Sequence, residues 1–119
     1  IYSAVSTNTN LSGETLSSTT SDQSVVYITA SGITIDSSTI QKTSGDSSNT
    51  EYSEFYGVNA AILVQGGGAT IKDGTITTAA KGANAVCATN SGTVTISGTT
   101  IKSTGPAPPE DYMLLMEAK

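Results

Sequence analysis

Aliphatic residues recur in pairs five positions apart: Leu11/Leu16, Ile35/Ile40, Ile71/Ile76 and Ile96/Ile101. Successive pairs are offset by 24, 36 and 25 residues. Around each pair, apolar and polar positions alternate, as in Ile33-Thr34-Ile35 and Val94-Thr95-Ile96. Alternation of period two gives a strand with one buried and one exposed face. A repeat near 24, poor in helix formers, is too short for a helix pair and suits one turn of a β-solenoid. The pattern therefore predicts an all-β chain: a right-handed parallel β-helix (β-solenoid) of about four coils with a short non-repeat C-terminal tail.

Coil equivalence can be read residue by residue. Ser24–Ile35 maps onto 60–71 and then onto 85–96, each as strand, Gly/Ser/Asn turn and alternating strand. A shift of −24 sets Ile1–Val5 against Val25–Thr29, so the chain starts flush with a strand and with no cap before it. Stacking at about 4.8 Å makes columns of like residues. Thr34, Thr70 and Thr95 form one, Thr39, Thr75 and Thr100 another, and Asn59 is expected on Asn84. Cys87 aligns with Val26 and Ile62, which reads as a packed, inert thiol.

The repeat fails twice. Eleven extra residues fall between Ile40 and Ala60, in a connection holding Asp46, Glu51, Tyr52, Glu54, Phe55 and Tyr56. An insertion on a repeat scaffold tends to mark its working face. After Lys102 the repeat stops, and Pro106, Pro108 and Pro109 exclude a sheet interior. The division is a solenoid domain over 1–104 with an inserted loop over 43–56. A Pro-rich spacer and apolar tail follow over 105–119, with Tyr112–Met116 either helical or extended.

Composition narrows the chemistry. The 119-residue chain has a net charge of −5, five Lys, no Arg and no His. Phosphate binding needs clustered Lys or Arg, which argues against nucleic acid. The absence of His removes the commonest general base and transition-metal ligand. No stretch approaches a membrane span. The single cysteine rules out an internal disulfide, and many hydroxyls with few lysines suit an extracellular or cell-surface protein.

The segments Phe55–Leu63, Ala69-Thr70-Ile71 and Gly82–Thr89, with Ser44–Ser48, resemble right-handed parallel β-helix surface proteins of bacteria and archaea, of adhesin-like or pectate-lyase-like kind. The resemblance covers about residues 1–104 and implies fold more than activity. Pectate-lyase-type chemistry would need calcium-holding carboxylates and an Arg or Lys base, and there is no Arg. Asp46, Glu51 and Glu54 share one loop and could converge on calcium, but a solvated acidic loop is the preferred reading, so no metal or cofactor is expected. Tyr52, Phe55 and Tyr56 could form a stacking platform for sugar rings; the preferred reading is that Phe55 and Tyr56 fold back to seal the loop onto the scaffold. The chain is expected not to be an enzyme.

A solenoid end exposes unpaired strand edges that natural solenoids cap. The expectation is head-to-tail association of copies into a fibre or surface array. Ile1, Tyr2 and Val5 would offer one surface, and Tyr112, Met113, Leu114, Leu115 and Met116 the other. The competing outcomes are a tail folded back on its own last coil near Ile96 and Ile101, and a surface module that binds polysaccharide.

Overall fold

A computed structural model describes residues 2–49, 52, 56–104 and 112–114. Among these residues ten strands form two parallel sheets. Sheet A runs in the order β1 (Ser3–Thr7), β4 (Gln23–Ile28), β6 (Ile62–Gln65), β8 (Val86–Thr89) and β10 (Tyr112–Leu114). Sheet B runs β2 (Leu11–Ser12), β5 (Ile33–Lys42), β7 (Gly68–Thr78) and β9 (Thr93–Ser103), with β3 (Thr15–Ser18) also on β5.

Sheet B follows the sequence pattern closely. Leu11, Ile35, Ile71 and Ile96 lie in register, as do Leu16, Ile40, Ile76 and Ile101. The Thr34/Thr70/Thr95 and Thr39/Thr75/Thr100 columns form as read. Each long strand bends between the two members of its pair, where Ser37, Asp73, Gly74 and Gly98 take positive φ. A Cβ on Gly74 would meet Ser38 backbone atoms, so this bend admits no side chain there.

The expected solenoid is corrected. The structure is a compact body of two parallel sheets, 34 × 30 × 21 Å, without the elongated axis and single narrow core of a β-helix rod. One reason is thickness: four or five layers at about 4.8 Å stack to only about 20–24 Å, less than the body is wide. The other is the inserted stretch. It covers the outer face of sheet A, where Ala60, Leu63 and Cys87 form a second apolar cluster with Tyr2 and Tyr27. β8 and most of β6 are therefore buried on both faces, as strands of parallel sheets generally are, while β1 stays exposed or half-buried. The main cluster lies between the sheets and includes Val26, Ile28, Ile35, Ile40, Ile62, Ile71 and Ile76. Two described residues of the insertion, Tyr52 and Tyr56, have helical backbone.

Two registers in sheet A also differ from expectation. β6 meets β8 with Leu63, not Ile62, opposite Cys87. The residue that separates this offset from that of sheet B sits in the turn Thr89–Thr93, where Asn90 and Ser91 take positive φ. A one-residue slip turns side chains to the other face. Cys87 thus joins Tyr27 and Leu63 on the outer face rather than Val26 and Ile62 inside. The same slip separates Asn59 from Asn84 as register partners, although both are fully buried in the turns before β6 and β8.

β1 meets β4 with Ala4 opposite Ser24 and Thr7 opposite Tyr27, which sets Val5 beside Val25 rather than Thr29. The first layer has a shorter connection to sheet B, and two amide side chains fill the gap. Asn8 Oδ1 accepts from the backbone N–H of Thr29 (2.8 Å) and Ala30 (3.0 Å). Asn10 Oδ1 accepts from Thr34 N–H at 2.9 Å. These carbonyls stand in for the missing backbone.

Candidate functional site: sheet edges and the inserted loop

The candidate residues fall on two surfaces. The first is the pair of sheet ends. Sheet B ends at β9, eleven residues long, and among the described residues nothing pairs with its outer edge. The consequence is visible in burial. Ile35 and Ile71, in interior layers, are 2% and 1% exposed. Their equivalent Ile96, with Val94 and Ile101, is only half-buried. Sheet A does not end at the same level, because β10 adds a parallel strand on β8, with Tyr112, Met113 and Leu114 opposite Val86, Cys87 and Ala88. The tail segment named from sequence therefore seats on its own chain, on β8 rather than near Ile96 and Ile101. Leu115 and Met116 lie outside the described residues.

At the opposite end, β1, β2 and β3 form the first layer. Val5 is 48% exposed there. Tyr2 stacks on Tyr27, with ring centroids 5.2 Å apart and planes 10° apart. Gln65 ties the two phenols together, accepting from Tyr27 and donating to Tyr2 at 3.0 Å. Burial, with Tyr2 beside it, holds the Tyr27 phenol above its ordinary pKa. Of the first group of sequence candidates, Tyr2 is thus anchored, Val5 is open, and Ile1 lies outside the described residues.

The second surface is the insertion. It is stitched to the body by polar contacts rather than left to solvent. Asp46 Oδ1 accepts from Lys81 N–H at 3.0 Å, and Ser47 N–H donates back to Lys81 C=O at 2.9 Å. Asp22 holds the next residue, accepting from Ser48 N–H (2.9 Å) and Oγ–H (2.6 Å). Asn59, fully buried, donates to Gly45 C=O and Lys81 C=O. Gly57, at φ 71°, lies so close that a Cβ would meet Leu63 Cδ1 at 2.5 Å and Cys87 Sγ at 2.8 Å.

The seal over sheet A is thus made by Gly57–Ala60, all buried, rather than by the tyrosines. Tyr52 and Tyr56 are 42% and 46% exposed and meet edge to face, 5.7 Å between centroids. Glu51, Glu54 and Phe55 lie outside the described residues. Among the described residues no three potential metal ligands cluster. Near the corner between the sheets a groove of about 260 Å³ is lined by Ser31, Gly32, Ile33, Gly68, Ala69, Thr70, Thr93 and Thr95.

Sequence reading missed one group. Lys42 is fully buried, and its ammonium donates to the carbonyls of Thr20 and, at 2.6 Å, Gln23. Burial pulls its pKa down from 10.5 to about 8, opposed by the Asp22 charge. The signal was present: alternation from Ile40 points Lys42 inward, in register with the equally buried Ser18 and Thr78. Cys87 is enclosed, and burial pushes its thiol up to about 12, which leaves almost no thiolate at neutral pH.

No protein-family model, curated protein or solved structure matches the chain.

Proposed function

We propose that this chain is a non-catalytic structural module of the extracellular or cell-surface kind, which associates with copies of itself through its sheet edges. The observation that carries this reading is the bare β9 edge. Among the described residues nothing pairs with the outer edge of this eleven-residue parallel strand, and its Val94, Ile96 and Ile101 are only half-buried. Such an edge is a template for another strand. The buried ionisable groups fit a structural role: Lys42 is spent on carbonyls and Cys87 is enclosed.

Sedimentation velocity over a hundredfold concentration range tests it. Association through unlike ends gives a ladder of sizes that grows with concentration, because a head-to-tail contact does not close. A monomer at every concentration overturns the reading.

A second reading has its own support. The exposed Tyr52/Tyr56 pair offers apolar ring area to a sugar, and the hydroxyl-lined groove offers neutral hydrogen-bonding groups. A polysaccharide-binding module would show glycan-array signals lost in a Tyr52→Ala/Tyr56→Ala variant. Signals unchanged by that variant would rule out the tyrosine pair.

A further inference from the structure

The two ends of the body match one another. Leu11 and Leu16, packed on the core in the first layer, have the same spacing as Ile96 and Ile101 in the last, and the layers already join these pairs in register three times over. Leaving aside the tail with Glu110, Asp111, Glu117 and Lys119, the strand layers that would meet also differ in charge. Residues 2–21 carry one charged side chain, Glu14, and residues 85–104 carry one, Lys102. Opposite signs favour an unlike joint over either like joint.

A flush joint meets one obstacle. A second copy that sets its β2 and β3 on β9 brings its β1 down on β8, the position β10 occupies. The two strands compete for one edge. β10 holds it with three residues, whereas β1 is a five-residue strand that pairs along β4 in the same sheet. We propose that the β8–β9 end is the docking surface for the β1–β3 layer of a second copy, and that β10 is the strand the incoming β1 replaces. This rests on the self-association reading and specifies its two surfaces.

The backbone register supplies a test, because Met113 lies directly opposite the native Cys87. Parallel neighbours of this kind fall within the Cα separation of about 4.4–6.8 Å that a disulfide spans. A Met113→Cys variant, refolded from denaturant under oxidising conditions so that Cys87 reacts before it is enclosed, and checked by mass spectrometry for the internal bond, locks β10 in place. Sedimentation is expected to show concentration-dependent growth for the wild type and the reduced variant, and monomer for the oxidised one, reversed by reductant.

Independently, Thr15→Glu with Thr100→Glu sets like charges face to face across the joint, at two exposed positions of one column. Association should weaken at least tenfold and return with Thr15→Lys and Thr100→Glu. If the locked chain, or the double-Glu chain, assembles as readily as wild type, this docking surface is wrong while self-association stands. If wild type never assembles, both fall.

Discussion

Replacing Lys42 with Met separates the burial of a cation from the bonds it makes. In the folded chain Lys42 is 0% exposed and donates to two backbone carbonyls of the turn Thr20–Gln23. Its pKa falls from 10.5 to about 8. The sign follows from proton linkage. Below pH 8 both folded and unfolded chains hold the proton. Between about 8 and 10.5 the unfolded chain binds a proton that the folded one does not, so stability from this residue rises with pH. A drop of about 2.5 pH units corresponds to a ceiling of about 3 kcal/mol. The receiving turn is itself exposed or half-buried, and solvent screening reduces this to about 1–2 kcal/mol.

The Met variant takes one hydrogen bond from each of the Thr20 and Gln23 carbonyls, at a cost of about 1 kcal/mol at pH 7 after the gain from removing a buried charge. At pH 10 the gap between wild type and variant should widen by about 1–2 kcal/mol. Urea unfolding followed by far-UV circular dichroism at pH 7 and 10 measures it. Cys87 and Tyr27, whose raised pKa values remove stability as pH climbs, act in both proteins and cancel in the difference. A gap that is unchanged or narrower at pH 10 refutes the buried-cation argument.

Three further outcomes follow from the packing. Ile71→Asp sets an unpaired carboxylate between Ile35 and Ile96, at a site 1% exposed, and should abolish the cooperative melt; a wild-type-like transition would contradict the register. Gly57→Val forces a Cβ into Leu63 and Cys87 at positive φ and should cost about 2–4 kcal/mol, seen as a lower urea midpoint; an unchanged midpoint would show that the loop does not press on sheet A. Cys87 should resist a thiol reagent at pH 8 in the native state and react at once in denaturant, and rapid native labelling would place it elsewhere.

Part of this protein is written in local pattern. The pairs Leu11/Leu16, Ile35/Ile40, Ile71/Ile76 and Ile96/Ile101 dictate the layers of sheet B, because alternation fixes which face is apolar and the five-residue spacing fixes where each strand bends. The Thr columns follow from the same register. Asp46, Tyr52 and Tyr56 could be recognised as belonging to an insertion, but not what each does there. Asp46 closes onto Lys81 N–H and the two tyrosines stay open, which depends on where a distant turn lies.

Only the tertiary structure decided the rest. The slip at Asn90–Ser91 moves Cys87 from one face of sheet A to the other; the extra residue shows in the periodicity as an offset of 25 rather than 24, but the turn that holds it does not. Asn8 and Asn10 replace missing backbone by side-chain carbonyls, a contact between layers that no single-layer pattern shows. In place of the expected four-coil solenoid the chain forms a compact two-sheet body, in which few layers stack and the insertion covers the outer face of sheet A. That the tail could fold back on its own last layer was readable as an alternative, but its seat on β8 was not, since three residues carry no period and the competition for a sheet edge is settled by what else can reach it.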